Sequence, residues 1–360
     1  MILKHWAAAA AVLPLAALAG CGSTGGTGST SSTTSSGASR NVVLVTHESF
    51  AVSDSVLAGF RKQTGISVKV LRSGDAGAAV NQAILTKGKP QGDVFFGVDN
   101  TFLSRALKEN LFTTYDAKGA STIPAQFVLD PQHRVTPIDY GDVCVNYDKK
   151  YFAEKKLDPP QTFADLAKPA YKNLLVTENA ATSSPGLAFL LGSVAAYGPD
   201  GAKAYWQKLK DNGTEVVDGW EEAYDSRFSG ASSGKGDKPL VVSYATSPVA
   251  EVAFSKKKLT EAPTGVAAGT CFRQVEFAGL LSGARNSENG RKLIDFLISP
   301  PFQQDMPMQM FVSPVQPGTK VPEVFSTFAV KVDEPKTVSA DDIAANREQW
   351  IKAWTQAMVR

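Results

Sequence analysis

From Asn41 onward the chain alternates short β-branched runs with helical stretches, and this order restricts the fold more than any other feature. "NVVLVTH" (41–47) reads as a strand, Ser53 and Asp54 signal a helix start, and "SVLAGFRKQTG" reads as a helix that stops at Gly65. "ISVKVL" follows as a strand, "AGAAVNQAILTKG" as a helix and "DVFFGVD" as a strand. A β-α-β-α-β series predicts an α/β fold with a parallel sheet. Ligands of such sheets gather at the carboxyl ends of the strands. Here those ends carry Thr46-His47-Glu48-Ser49 and Gly97-Val98-Asp99-Asn100.

A second alternation follows. "VTPIDYGDVCVNYD" (135–148) reads as a strand crossing into a new unit, and "NLLVTE", "TEVVDG" and "LVVSYA" read as its strands. "SPGLAFLLGSVAAYG", "AKAYWQKLKDNG", the segment after Gly219 and "SPVAEVAFS" read as its helices. "RQVEFAGLLSG" returns the chain to the first unit, and "NGRKLIDFLIS" and "SADDIAANREQWIKAWTQAM" are amphipathic helices. Roughly 320 residues exceed what one core accommodates. The expectation is two lobes with a ligand cleft between them: residues 41–138 in lobe one, 139–275 in lobe two, and 276–360 returning to lobe one with the C-terminal helices.

The leading segment is of another kind. Lys4, an apolar run and "LAGC" make residues 1–20 a secretory signal, shorter than the ~20 apolar residues that span a bilayer. Leu18-Ala19-Gly20-Cys21 resembles the bacterial lipoprotein signal, which implies an acylated Cys21 as the mature N-terminus. Residues 21–40, rich in Gly, Ser and Thr, read as a flexible tether behind it. The formal net charge is +2, with no basic block interleaved with aromatics, so no nucleic-acid partner is expected. After Cys21 only Cys144 and Cys271 remain, too few for a zinc site of paired CxxC type. In an oxidising compartment a disulfide between them is expected.

GxSxG, HExxH, Walker A and GxGxxG motifs are absent, and His5, His47 and His133 have no ligand spacing. No metal site or cofactor is expected. The recurring signal is a strand end joined to a helix start. Thr182, Ser183 and Ser184 precede Pro185, and Tyr244, Thr246 and Ser247 precede Pro248. Free N–H groups at such helix starts suit an anion or a hydroxyl, although plain capping also accounts for the serines. Trp220 and Tyr224 follow Gly219 at a third junction, four residues apart, as on one face of a helix. They are read as an aromatic wall with Tyr244 rather than as a core cluster.

The segments "GVDN", "IDYGDVCVNYDK", "SSPGLAFLL", "DGWEEAYDSRFSG", "VVSYATSPVAE", "LISPPFQQDMP" and "NREQWIKAW" occur in an order that resembles the thiamine-binding periplasmic components of ABC transporters. The resemblance runs from Asn41 to the last helix. It implies a two-lobed type II periplasmic binding-protein fold closing on thiamine or a thiamine phosphate. It further implies a monomer that is not an enzyme and delivers the ligand to an ABC permease at the outer face of the cell membrane, held by its lipid. Trp220, Tyr224 and Tyr244 would line the cleft, with Ser183 and Ser184 near the hydroxyethyl or phosphate end. A cationic thiazolium and a flat aminopyrimidine call for π faces and nearby carboxylate, for which Asp99 and Asp139 are the candidates. His47 stands where the family has a Tyr, Phe311 where it has a Trp, and a further Trp is replaced near Asp54. Two alternatives stay open: a cysteine-type thiaminase using Cys144 as its thiolate, and a ferric iron-binding protein, for which Tyr244 lacks a neighbouring tyrosine.

Overall fold

The computed structural model describes residues 40–359. The signal sequence, Cys21 and nearly all of the tether lie outside them. Within this range ten strands form one sheet: β1 (Asn41–Thr46), β2 (Ser67–Arg72), β3 (Val94–Asp99), β4 (Phe112–Thr113), β5 (Thr136–Asp148), β6 (Leu175–Glu178), β7 (Glu215–Val217), β8 (Leu240–Tyr244), β9 (Thr264–Leu281) and β10 (Ser313–Pro314). The main order is β2-β1-β3-β9-β5-β8-β6-β7, with β4 on β9 and β10 on β5.

The flanks of the sheet are parallel, as the βαβ pattern predicts, but its centre is not. β2, β1 and β3 pair in parallel, as do β8, β6 and β7. β9 and β5 are antiparallel to each other and to their outer neighbours β3 and β8. These two long strands join the halves. The end of β9 (Glu276–Leu280) pairs with β3 and the end of β5 (Val143–Tyr147) with β8. Asp139 and Glu276, the residues at which the sequence pattern sets the crossings, face each other in register.

Local chemistry sets the helix limits. Helix Asp54–Thr64 ends at Gly65, whose φ of 72° is a left-handed stop that a side chain disfavours. The two helices read between residues 184 and 211 are present within Ser184–Asp211 and are separated by a kink at Gly198 (φ 70°, ψ 169°), just before Pro199. Helix Pro300–Gln309 has no amphipathic pattern to announce it, with prolines at its start and inside it. Helix Ala340–Met358 packs on both halves, against helix Ser184–Asp211 and helix Leu103–Lys108. Arg347 from it is buried, donates to the Thr101 carbonyl at 3.1 Å and lies over the Phe102 ring.

Cys144 on β5 and Cys271 on β9 are joined, with their Cα atoms 4.2 Å apart. Both are buried, within a small cluster that includes Ala245, Val266 and Val332. No helix among the described residues is long and apolar enough to cross a membrane.

Candidate functional site

The strand-to-helix junctions converge on a cleft of about 700 Å³, measured to its open mouth. One side is aromatic. The Trp220 and Tyr224 rings stack at 5.1 Å and 18°, and Tyr244 meets Trp220 edge-on at 6.5 Å. Hydrogen bonds fix their orientation: the Trp220 indole donates to Ser243 Oγ at 2.9 Å, and the Tyr224 hydroxyl donates to Glu251 Oε1 at 2.9 Å. Tyr224 sits on a π-helical turn, Glu222–Arg227, that begins two residues after Trp220, rather than on an α-helix. Such turns recur at functional sites. Gly219 ahead of it has a steric reason, because a Cβ there would stand 3.2 Å from both Asp75 Oδ2 and Glu48 Oε1.

Wall and core are not exclusive here. Tyr224 is 4% exposed and packs with Val176, Val217, Phe228 and Val241, while Trp220 is half-buried against the same cluster. The expectation that these rings form a wall instead of a core cluster is therefore corrected. A large ring beside a narrow cleft presents one surface to it and buries the other.

Carboxyl groups complete the lining beside the rings. Asp75 accepts from the Trp220 N–H at 2.8 Å and from the Ala76 N–H at 2.5 Å, while the Ser183 hydroxyl and the Ser184 N–H also lower its pKa. Burial outweighs these bonds and leaves its pKa raised. Glu276 also faces the cleft. Burial, followed by the charge of Asp139, pushes its pKa well above the usual carboxylate range. His47 Nε2 stands 3.5 Å from Glu276 Oε1. Burial first, and then Arg72, lower the imidazole to about 4, so His47 is neutral at neutral pH and this contact is not an ion pair.

Two β-bulges aim these groups. The β3–β9 register shifts at Gly97 and the β5–β9 register at Ile138, on either side of the β9 pair Glu276 and Phe277. Gly97 has φ 98°, and a Cβ there would lie 2.4 Å from the His47 ring, so glycine is required by both backbone and space.

Of the residues singled out in the sequence, His47, Ser184, Trp220, Tyr224, Tyr244 and Phe311 line the cleft. Ser183, Asp99 and Asp139 do not, being buried behind it. Asp99 is an internal cap, accepting from Thr101, Phe102 and Gln274. The placement of Asp99 and Asp139 as carboxylates in the cleft is thus corrected to Asp75 and Glu276. Asp75 carried the same signal as the serines, a cap at a strand-to-helix junction. Glu276 had no signal beyond strand alternation. Cys144, the thiolate of the thiaminase alternative, is fully buried and bonded to Cys271, away from the cleft lining. Neither lysine nor arginine occurs among the lining residues.

A cleft between two α/β halves joined by long antiparallel strands defines a solute-binding protein of the two-lobed type II periplasmic binding-protein fold. Residues 89–344 match the model of the bacterial extracellular solute-binding protein family, and the chain belongs to that family. Among curated relatives, the thiamine-binding periplasmic protein of Escherichia coli (strain K12) is 30% identical over 327 residues, covering 89% of this chain and 94% of that one. The thiamine-binding periplasmic protein of Brucella suis is 28% identical over 333 residues, covering 90% and 93%. A solved periplasmic thiamin binding protein superposes with a TM-score of 0.76 at 28% identity, covering 89% of this chain and 96% of that one.

Proposed function

We propose that this solute-binding protein captures thiamine, or a thiamine phosphate, outside the cytoplasm and delivers it to an ABC permease. The observation that carries this reading is the cleft itself, lined by three aromatic rings together with Asp75 and Glu276 and by no lysine or arginine. A thiazolium cation gains from both rings and carboxyls, and a flat pyrimidine fits against the rings. The names of the relatives point the same way. Trp220, Tyr224, Tyr244, Ser184, Asp75 and Glu276 are proposed as ligand contacts, with His47 and Phe311 at the edges of the cleft.

The protein is read as a carrier and not an enzyme, anchored through an acylated Cys21 and acting as a monomer. Ferric iron fits the cleft poorly. Burial first, then nearby carboxylates, push the Tyr224 and Tyr244 hydroxyls well above their ordinary pKa, the reverse of what a tyrosinate ligand needs. The test is a titration of intrinsic fluorescence and thermal midpoint with thiamine, its mono- and diphosphate, and ferric citrate. Thiamine at 100 times its dissociation constant should add about 2.7 kcal/mol to stability. A protein that answers to none of the thiamine forms would sink the proposal.

A further inference from the structure

The cleft has a carboxyl pair at its back, on the two strands that join the halves. Asp139 of β5 and Glu276 of β9 are directly opposed in the antiparallel ladder, which sets their side chains side by side on one face of the sheet, within reach of each other's charge. Two carboxyl groups in such contact, both buried, do not ionise together in a low-dielectric site, so one proton is held between them. Only Glu276 of the two faces the cleft, while Asp139 is 1% exposed and has one oxygen with no hydrogen-bond partner.

No cation is bonded to the pair to replace that proton: Arg72 of β2, whose charge reaches His47, is held by the Phe50 carbonyl instead. The end of β1 brings His47, held neutral, and the end of β3 brings Asp99, another buried carboxyl. Asp75 faces the pair from the start of helix Ala76–Leu85, and β8 brings Tyr244. On β9 itself the near polar neighbour is the uncharged Gln274, and Arg273 is tied to Asp142 at 2.6 Å. β10, which pairs with Asp139 through Pro314, adds no charge.

We propose that Asp139 and Glu276 share one proton while no cation faces Glu276, and that a cationic ligand displaces this proton to solvent as it binds. This deepens the functional reading above and rests on it for the cation. The exchange balances: the O–H bond of the shared proton breaks, the proton passes to water, and the ligand's positive charge takes its place beside two carboxylates. The net charge of the buried site is the same before and after, so neither state holds an extra unpaired charge. Glu276 is then the ligand contact, and Asp139 is a positioning residue that acts through it.

The experiment is calorimetric titration of the purified full-length chain with thiamine, in buffers of different ionisation heat. The pH is kept above the range in which the ligand's own pyrimidine titrates. Wild type should release roughly one proton per thiamine near pH 6, and its affinity should rise by up to tenfold per pH unit until the pair is ionised. Asp139→Asn, which keeps the shape and replaces the acidic partner by an amide that can donate to Glu276, should release clearly less and show a shallower pH profile, the remainder coming from the burial of Glu276 and Asp75. Buffer-independent heats in wild type, or equal proton release by Asp139→Asn, would overturn the proposal. A failure of thiamine to bind strikes the functional reading instead, and the shared proton is then judged by carbon-13 titration of the two carboxyls without ligand. One carboxyl titrating far above the ordinary range, and titrating clearly lower in Asp139→Asn, supports the pair. Two ordinary titrations refute it.

Discussion

At the scale of single residues, Trp220 and Trp206 separate binding from folding. Trp206 is 1% exposed and its indole donates to Ser193 Oγ inside the core, whereas Trp220 is half-buried and turns one side to the cleft. Trp206→Ala should cost ~3–5 kcal/mol of stability. Trp220→Ala should cost less stability, because only part of its ring is packed. It should also weaken thiamine binding by roughly 30-fold or more, as a desolvated cation over a ring gains ~2 kcal/mol and ~1.4 kcal/mol is tenfold. The check is the melting curve of each ligand-free variant beside its fluorescence titration. Normal affinity with a collapsed midpoint for Trp220→Ala would make Trp220 a folding residue only. The three strand-to-helix junctions were legible at this scale because caps and prolines are local signals. Glu276 was not, since its place in the cleft comes from the bulges in β3 and β5 on either side of β9.

At the scale of elements, the pair β5–β9 carries the connection between the halves, and Cys144–Cys271 ties it across 127 residues of chain. A crosslink closing so long a loop stabilises by up to ~4–5 kcal/mol in the chain-entropy account, and measured values are often smaller. Peptide mapping without reduction should find the two cysteines linked, and reductant should lower the thermal midpoint. Two free thiols that react with a maleimide in the native protein would overturn both expectations. The parallel flanks were readable from the βαβ alternation, and so was β5. The first half of β9, "TGVAAGTCF", was not, because its small residues have weak strand propensity and its ladder is made with the distant β5. Helix Pro300–Gln309 was hidden for a similar reason: packing, not pattern, holds it.

At the scale of the whole molecule, the halves meet through hydrogen bonds from their strand ends. Asp75 takes the Trp220 N–H, Ala78 donates to the Thr182 carbonyl at 3.0 Å, and Thr246 donates to the Phe311 carbonyl. Export and anchoring also belong to this scale. Replacing Cys21 with Ser should release the protein from membranes while leaving thiamine binding intact, since the cleft lies wholly within residues 47–312. A variant that still sediments with membranes would refute the anchor.

The sequence by itself determined the α/β alternation and the aromatic junctions, because period, caps and helix stops act over a few residues. Only the tertiary structure decided which carboxyls reach the cleft. Asp99 and Asp139 sit at or near strand ends as expected, yet neighbouring strands and loops cover them, while Asp75 at a helix start and Glu276 beside Asp139 reach the cleft. A side chain's direction in a sheet depends on register, and register is a contact between residues more than a hundred positions apart.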